Sequence, residues 1–112
     1  MKVVRDGEGI KYDAKKHFNC WAMYKLEVGK DTKKTTLSIS HFLPEGGAEL
    51  SSSPKERVYF ILSGGALKVT GKSEEHILEP GDMLYIAPGE ERAAIVVGNE
   101  PVTMLVIITD VA

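Results

Sequence analysis

Cysteine is almost missing from this chain. Cys20 is the only one, so no intramolecular disulfide can form and no cysteine cluster can hold a metal. Long apolar runs are missing too. No stretch approaches the ~18 residues that a membrane helix needs. The start, Met1-Lys2-Val3-Val4-Arg5-Asp6-Gly7, has no apolar stretch of the kind that directs secretion. A cytoplasmic protein is the expectation. Excess charge is small: 14 basic against 16 acidic side chains give −2, with a pI near 5.9. That excludes the broad basic face that nucleic-acid binding needs. It also excludes the polybasic patch that holds a protein on an anionic membrane. Neither nucleic acid nor membrane is therefore an expected partner.

What is present fits one globular domain over residues 1–112, with 43% hydrophobic and 27% charged residues. A chain this long buries roughly two-thirds of its unfolded surface and needs no staples. Eleven glycines and five prolines predict frequent turns. Helical evidence is thin: Tyr12 to Trp21 allows short helical turns, but without a sustained apolar stripe. Strands are expected at residues 21–28, 35–43, 57–62, 66–70, 75–78, 83–87, 92–97 and 102–109. Gly71-Lys72-Ser73 makes a hairpin of two of them. Pro44-Glu45-Gly46-Gly47, Ser63-Gly64-Gly65, Pro80-Gly81-Asp82, Pro88-Gly89 and Gly98-Asn99 read as closing turns. Such spacing predicts an all-β sandwich or barrel. The runs Val58 to Leu62 and Val102 to Ile108 predict strands buried on both faces.

The glycine turn Pro44-Glu45-Gly46-Gly47, the strand Arg57-Val58-Tyr59-Phe60-Ile61-Leu62-Ser63-Gly64 and the run from Pro80-Gly81-Asp82 to Pro88-Gly89 fall in a fixed order. With them, residues 38–108 resemble a cupin, residues 1–35 supplying N-terminal strands. The resemblance implies a single-domain jelly-roll β-barrel and favours a homodimer. It also implies a site inside the barrel, where two His and a Glu of the first motif meet a His of the second around a metal. Placed on that pattern, Ser51 and Ser53 stand where the two His should be, Arg57 at the Glu and Arg92 at the last His. Ala87 and Val96 replace the second motif's Pro and Asn. Serine is a poor donor to a transition ion and arginine cannot coordinate one. No metal and no other cofactor are therefore expected. Glu56 is one residue from the Glu position, and a one-residue step on a strand reverses the face unless a bulge restores it.

If Arg57 and Arg92 point inward, the barrel holds two guanidinium forks that suit a carboxylate or phosphate. Ser51 and Ser53 add hydroxyls at its mouth, and Tyr59 shares the face of Arg57. A small anionic or polyoxygenated molecule is then the expected ligand. Alternatively the arginines pair with Glu49, Glu56, Glu90 or Glu91 and seal the mouth, since buried charge must find partners. His41 shares a face with Ile39 and Leu43. That points it into the barrel, either as an acid–base group or as a hydrogen-bonded core residue. His41 and Tyr59 are thus the candidate catalytic residues of a metal-independent isomerase or epimerase. A metal site with displaced ligands would draw on Glu49, Glu56 and His41, but Arg92 leaves it without its last ligand. His17 and Cys20 are too few for a metal site. They leave a Cys/His nucleophile or a small buried hydrophobe at Cys20. Phe18, Trp21, Met23 and Tyr24 pack on this chain's barrel or on a partner subunit's.

Overall fold

Residues with alternating inward and outward side chains make up most of the chain, and they form strands far longer than the glycine spacing suggests. The structure is a computed structural model that describes residues 1–111. The strands are β1 (Ile10–Tyr12), β2 (His17–Leu26), β3 (Thr35–Ser51), β4 (Glu56–Thr70), β5 (Glu75–Leu78), β6 (Met83–Ile86) and β7 (Arg92–Thr109). There is no helix among the described residues, and hence none long and apolar enough to cross a membrane. The helical turns expected over 12–21 are replaced by the β1–β2 turn and the start of β2. Lys16 (φ 60°) and Asn19 (φ 46°) take left-handed backbone there, which interrupts a right-handed helix. Asn19 marks a bulge in the β2–β3 pairing.

Every pairing between named strands is antiparallel, in the order β1-β2-β3-β7-β4-β5, with β6 on the free side of the first half of β4. Three of the expected turns are bends within continuous strands. Pro44 to Gly47 lies inside β3, Ser63-Gly64-Gly65 inside β4, and Gly98-Asn99 inside β7. The pairing register slips at each of them, between Phe42 and Gly47 and between Ile61 and Ala66. A bulge adds twist and bends a strand, so β3, β4 and β7 curve together around one interior. Gly64 shows why glycine is needed at such a bend. Its φ is +100°, and a Cβ there would overlap the Pro101 carbonyl oxygen. The Gly71-Lys72-Ser73 hairpin forms as expected, with Thr70 opposite Glu75 and the Gly71 N–H on the Glu74 carbonyl.

One end of the interior is a dry core: Phe42, Ile61, Leu67 and Val102 are fully buried, with Met104, Val96 and Leu78 around them. Each such side chain contributes about 1.5–3 kcal/mol by leaving water. The runs 58–62 and 102–108 are buried on one face rather than two. Tyr59, Ile61, Val102, Met104 and Val106 face in, while Val58, Phe60, Thr103, Leu105 and Ile107 are half-exposed and Leu62 is exposed. The other end of the interior is open.

Gly64→Ala combines a left-handed backbone with a backbone overlap. It is expected to destabilise the fold by about 2–4 kcal/mol, read as a fall in the midpoint of urea unfolding. A loss under about 1 kcal/mol would show that the bend tolerates a side chain.

Candidate ligand-binding site

Arg57 and Tyr59 on β4, Arg92 on β7 and Ser40 on β3 all have the parity of the core residues on their strands, so their side chains turn inward. They line the open end of the barrel, a cavity of about 380 Å³. Its rim is formed by the β1–β2 turn with Lys15, Lys16 and His17, and by Ser51, Ser52 and Ser53 between β3 and β4. Backbone hydrogen bonds fix both rims: the Glu49 N–H donates to the Lys16 carbonyl (2.8 Å) and the Gly89 N–H to the Ser53 carbonyl (2.7 Å). One wall is apolar, made by Met104, Val106 and Ile108 at alternate positions of β7. Tyr12 and Tyr24 also line the cavity, stacked with ring centroids 3.8 Å apart. The Tyr12 hydroxyl donates to Ser38 Oγ (3.2 Å), and burial raises the Tyr12 pKa.

The two arginines are half-buried and differ in how they are held. Arg92 Nη1 donates to the Ser51 carbonyl (3.0 Å), and its Nε donates to the Tyr59 hydroxyl at 3.4 Å. These bonds orient Arg92 without neutralising it. Burial holds the Arg57 guanidinium below its ordinary pKa, and the positive charge of Arg92 adds to the effect. The arginine–glutamate pairs that would have sealed the mouth do not form. Glu56 faces away and accepts from the Tyr85 hydroxyl (2.9 Å), and Glu90 accepts from the Ala87 N–H (2.8 Å). The ion pairs among the described residues are Lys2–Asp31, Lys55–Asp110, Lys68–Glu75 and His76–Glu74, and neither arginine belongs to one. No carboxylate lines the cavity among the described residues. The bulge that would have turned Glu56 inward is absent, since Glu56 and Arg57 pair in unbroken register with Thr109 and Ile108.

His41 is on the wrong face for this site. Ser38, Ser40 and Phe42 face inward (0%, 3% and 1% exposed), and Ile39, His41 and Leu43 face outward. The His41 ring stacks on Trp21 at 4.0 Å, and its Nδ1 is 3.1 Å from Thr103 Oγ1. The N-terminal segment from Lys2 to Gly7 crosses over this outer face. It is tied down by Lys25 Nζ, which donates to the carbonyls of Arg5, Asp6 and Glu8. The expected aromatic cluster divides: Tyr24 lines the site, Trp21 lies outside on His41, and Phe18 is exposed. Cys20 borders an adjoining surface cleft that shares Tyr12, Ala14 and His17 with the site, and burial raises the Cys20 pKa, away from the reactive thiolate. Sequence spacing missed Tyr12, Tyr24, Ser40 and the two lysines. The parity of Phe42 would have identified Ser40.

The fold and the site now define a class of protein: an all-β jelly-roll barrel with polar side chains gathered at one open end. The chain belongs to the Cupin domain family, whose model matches residues 38–108. Solved structures agree on the fold. The polyketide cyclase RemF from Streptomyces resistomycificus superposes with a TM-score of 0.82 at 16% identity, over 97% of this chain and 79% of that one. A predicted oxalate decarboxylase from Thermotoga maritima gives 0.82 at 17%, over 98% and 100%. A cupin-like protein from the same organism gives 0.81 at 17%, over 96% and 82%. No curated protein matches the sequence.

The metal that cupins commonly hold does not fit the residues at this centre. Ser51, Ser53, Arg57 and Arg92 line the one cavity, and they offer two hydroxyls and two permanent cations where ligands would stand. Nor do Glu49, Glu56 and His41 gather elsewhere. No cluster of three His, Cys, Asp or Glu side chains exists among the described residues.

Two expectations follow. Arg57→Met removes a like charge and its burial cost but keeps the aliphatic stem. In a buffer free of polyvalent anions, this variant is expected to melt about 3 °C above the wild type; a lower melting temperature would mean that Arg57 is neutralised within the protein. His41 is shifted the other way from a salt-bridged histidine. Burial lowers its pKa, Asp6 opposes the shift and Lys25 adds to it. As the pH falls, the unfolded chain therefore takes up this proton first, from about pH 6.5. The contribution of His41 to stability is whole above that pH and is lost below it. Melting curves of His41→Gln are expected to fall less steeply than wild type between about pH 7 and pH 5; parallel curves would contradict the shift.

Proposed function

We propose that this protein binds a small anionic or polyoxygenated molecule in the open end of its barrel, through Arg57 and Arg92. The observation that carries this reading is the pair of half-buried guanidiniums on one cavity with no carboxylate among its lining residues. Buried charge is costly unless it is paired, and here the missing partner is an anion from solution. Ser51, Ser53 and Ser40 supply hydroxyl groups that donate to or accept from a polyoxygenated ligand. Arg92, held by the Ser51 carbonyl and Tyr59, presents its remaining N–H groups in a fixed direction. That lowers the ordering cost of binding.

Tyr59 supports a second, enzymatic reading. Its phenol oxygen lies in the same cavity beside Arg92, where an O–H group can pass a proton to or from a bound molecule. The reaction class would be a metal-independent isomerisation or epimerisation. His41 takes no part in it, being on the opposite face of the sheet.

Thermal-shift measurements with malonate, glucuronate and inorganic phosphate test the binding reading. At least one of the three is expected to raise the wild-type melting temperature, and the rise is expected to weaken at high salt. Arg57→Gln or Arg92→Gln is expected to lower affinity for it about tenfold or more, the loss of a charge-assisted hydrogen bond. Unchanged responses in both variants would place the anion elsewhere. Tyr59→Phe separates the readings: it loses one long hydrogen bond to Arg92 and is expected to weaken binding only a few-fold but, for any substrate that turns over, to abolish turnover.

A further inference from the structure

The charge and shape of the cavity specify its ligand more narrowly. Two guanidiniums face it, Lys15 and Lys16 border it, and no carboxylate lies among its lining residues. Arg57 is repelled by Arg92; a singly charged anion relieves that repulsion but leaves one positive charge uncompensated. A doubly charged anion compensates both. The apolar wall makes a separate demand. Met104, Val106 and Ile108 span roughly 13 Å of strand at ~3.3 Å per residue, and the Tyr12–Tyr24 stack faces the same space. Met104 and Val106 are themselves nearly covered, so the apolar surface still open to water is that of Ile108 and the two tyrosine rings, and a bare inorganic dianion leaves it wet. The volume of about 380 Å³ lies in the range of small-molecule sites, ~300–1,000 Å³, well beyond the size of one phosphate.

We infer that the ligand is a dianion carried on a compact apolar body, ring or short branched chain, with its two negative charges between Arg57 and Arg92. The inference rests on the anion-binding reading above and narrows it. Two carboxylates or one phosphate monoester supply the same double charge. In either case the apolar body lies along β7.

Calorimetric titration with four probes tests it, at a pH where every acid group is fully ionised. Benzoate carries one charge on a ring, phthalate two on the same ring, phenyl phosphate a single doubly charged group, and succinate two charges without a ring. Phthalate or phenyl phosphate is expected to bind at least about tenfold tighter than both benzoate and succinate, and whichever leads identifies the source of the double charge. In Arg57→Gln and in Arg92→Gln, each checked for a cooperative melt, the advantage over benzoate is expected to disappear. Arg57→Lys, which keeps the charge, is expected to retain part of it. Benzoate equal to both ring dianions overturns the double-charge inference, and succinate equal to them overturns the apolar body. An advantage that survives in both glutamine variants overturns the placement. In the first two cases the anion-binding reading stands; in the third its placement at Arg57 and Arg92 falls with the inference. Failure of all four probes together with malonate, glucuronate and phosphate brings down both.

Discussion

Two like charges enclosed by one barrel end are the constraint from which the rest of this site follows. A guanidinium cannot shed its charge at any pH a protein survives, so Arg57 and Arg92 cannot relieve their burial by titrating. Neither forms an ion pair among the described residues, and Arg57 carries the repulsion of Arg92. The strain is tolerable because the dry core lies at the other end of the same strands, around Phe42, Ile61 and Val102. Stability is supplied at one end and recognition is built at the other, a separation that functional sites commonly show.

Long bent strands make the separation possible. β3, β4 and β7 each run through a glycine-rich bend and stay paired on both sides of it. One strand therefore contributes to the packed end and to the open end. β4 gives Arg57 and Tyr59 to the cavity and Leu67 and Val69 to the core. β7 gives Arg92 to the cavity near its start and, past its bend, the apolar wall from Met104 to Ile108. Strand alternation then settles Glu56: one residue before Arg57 and in unbroken register, it must face out, where Tyr85 meets it.

The grouping of Ser51, Ser53, Arg57 and Arg92 was legible through the resemblance to cupins, because they occupy the motif positions that the family brings together inside the barrel, and all four line one cavity here. Two other features were not. Glycine-rich segments at 44–47, 63–65 and 98–99 look like turns, since composition does not distinguish a chain reversal from a bulge in a continuing strand. His41 was assigned to the interior because its neighbours Ile39 and Leu43 are apolar. Alternation defines two faces of a strand without saying which is inside. Here the interior face of β3 carries Ser38 and Ser40, which serve the polar cavity and Tyr12. The apolar outer face is partly covered by the segment from Lys2 to Gly7. That covering depends on Lys25 reaching three backbone carbonyls, a contact that no local pattern announces.

The most direct test of the central claim is a crystal structure of the protein soaked with phthalate or phenyl phosphate. The account predicts electron density for the anion between the guanidinium groups of Arg57 and Arg92, with its ring against Ile108 or the Tyr12–Tyr24 stack. Arginines paired with glutamates of their own chain around an empty cavity, or a metal ion coordinated at Ser51 and Ser53, would contradict it.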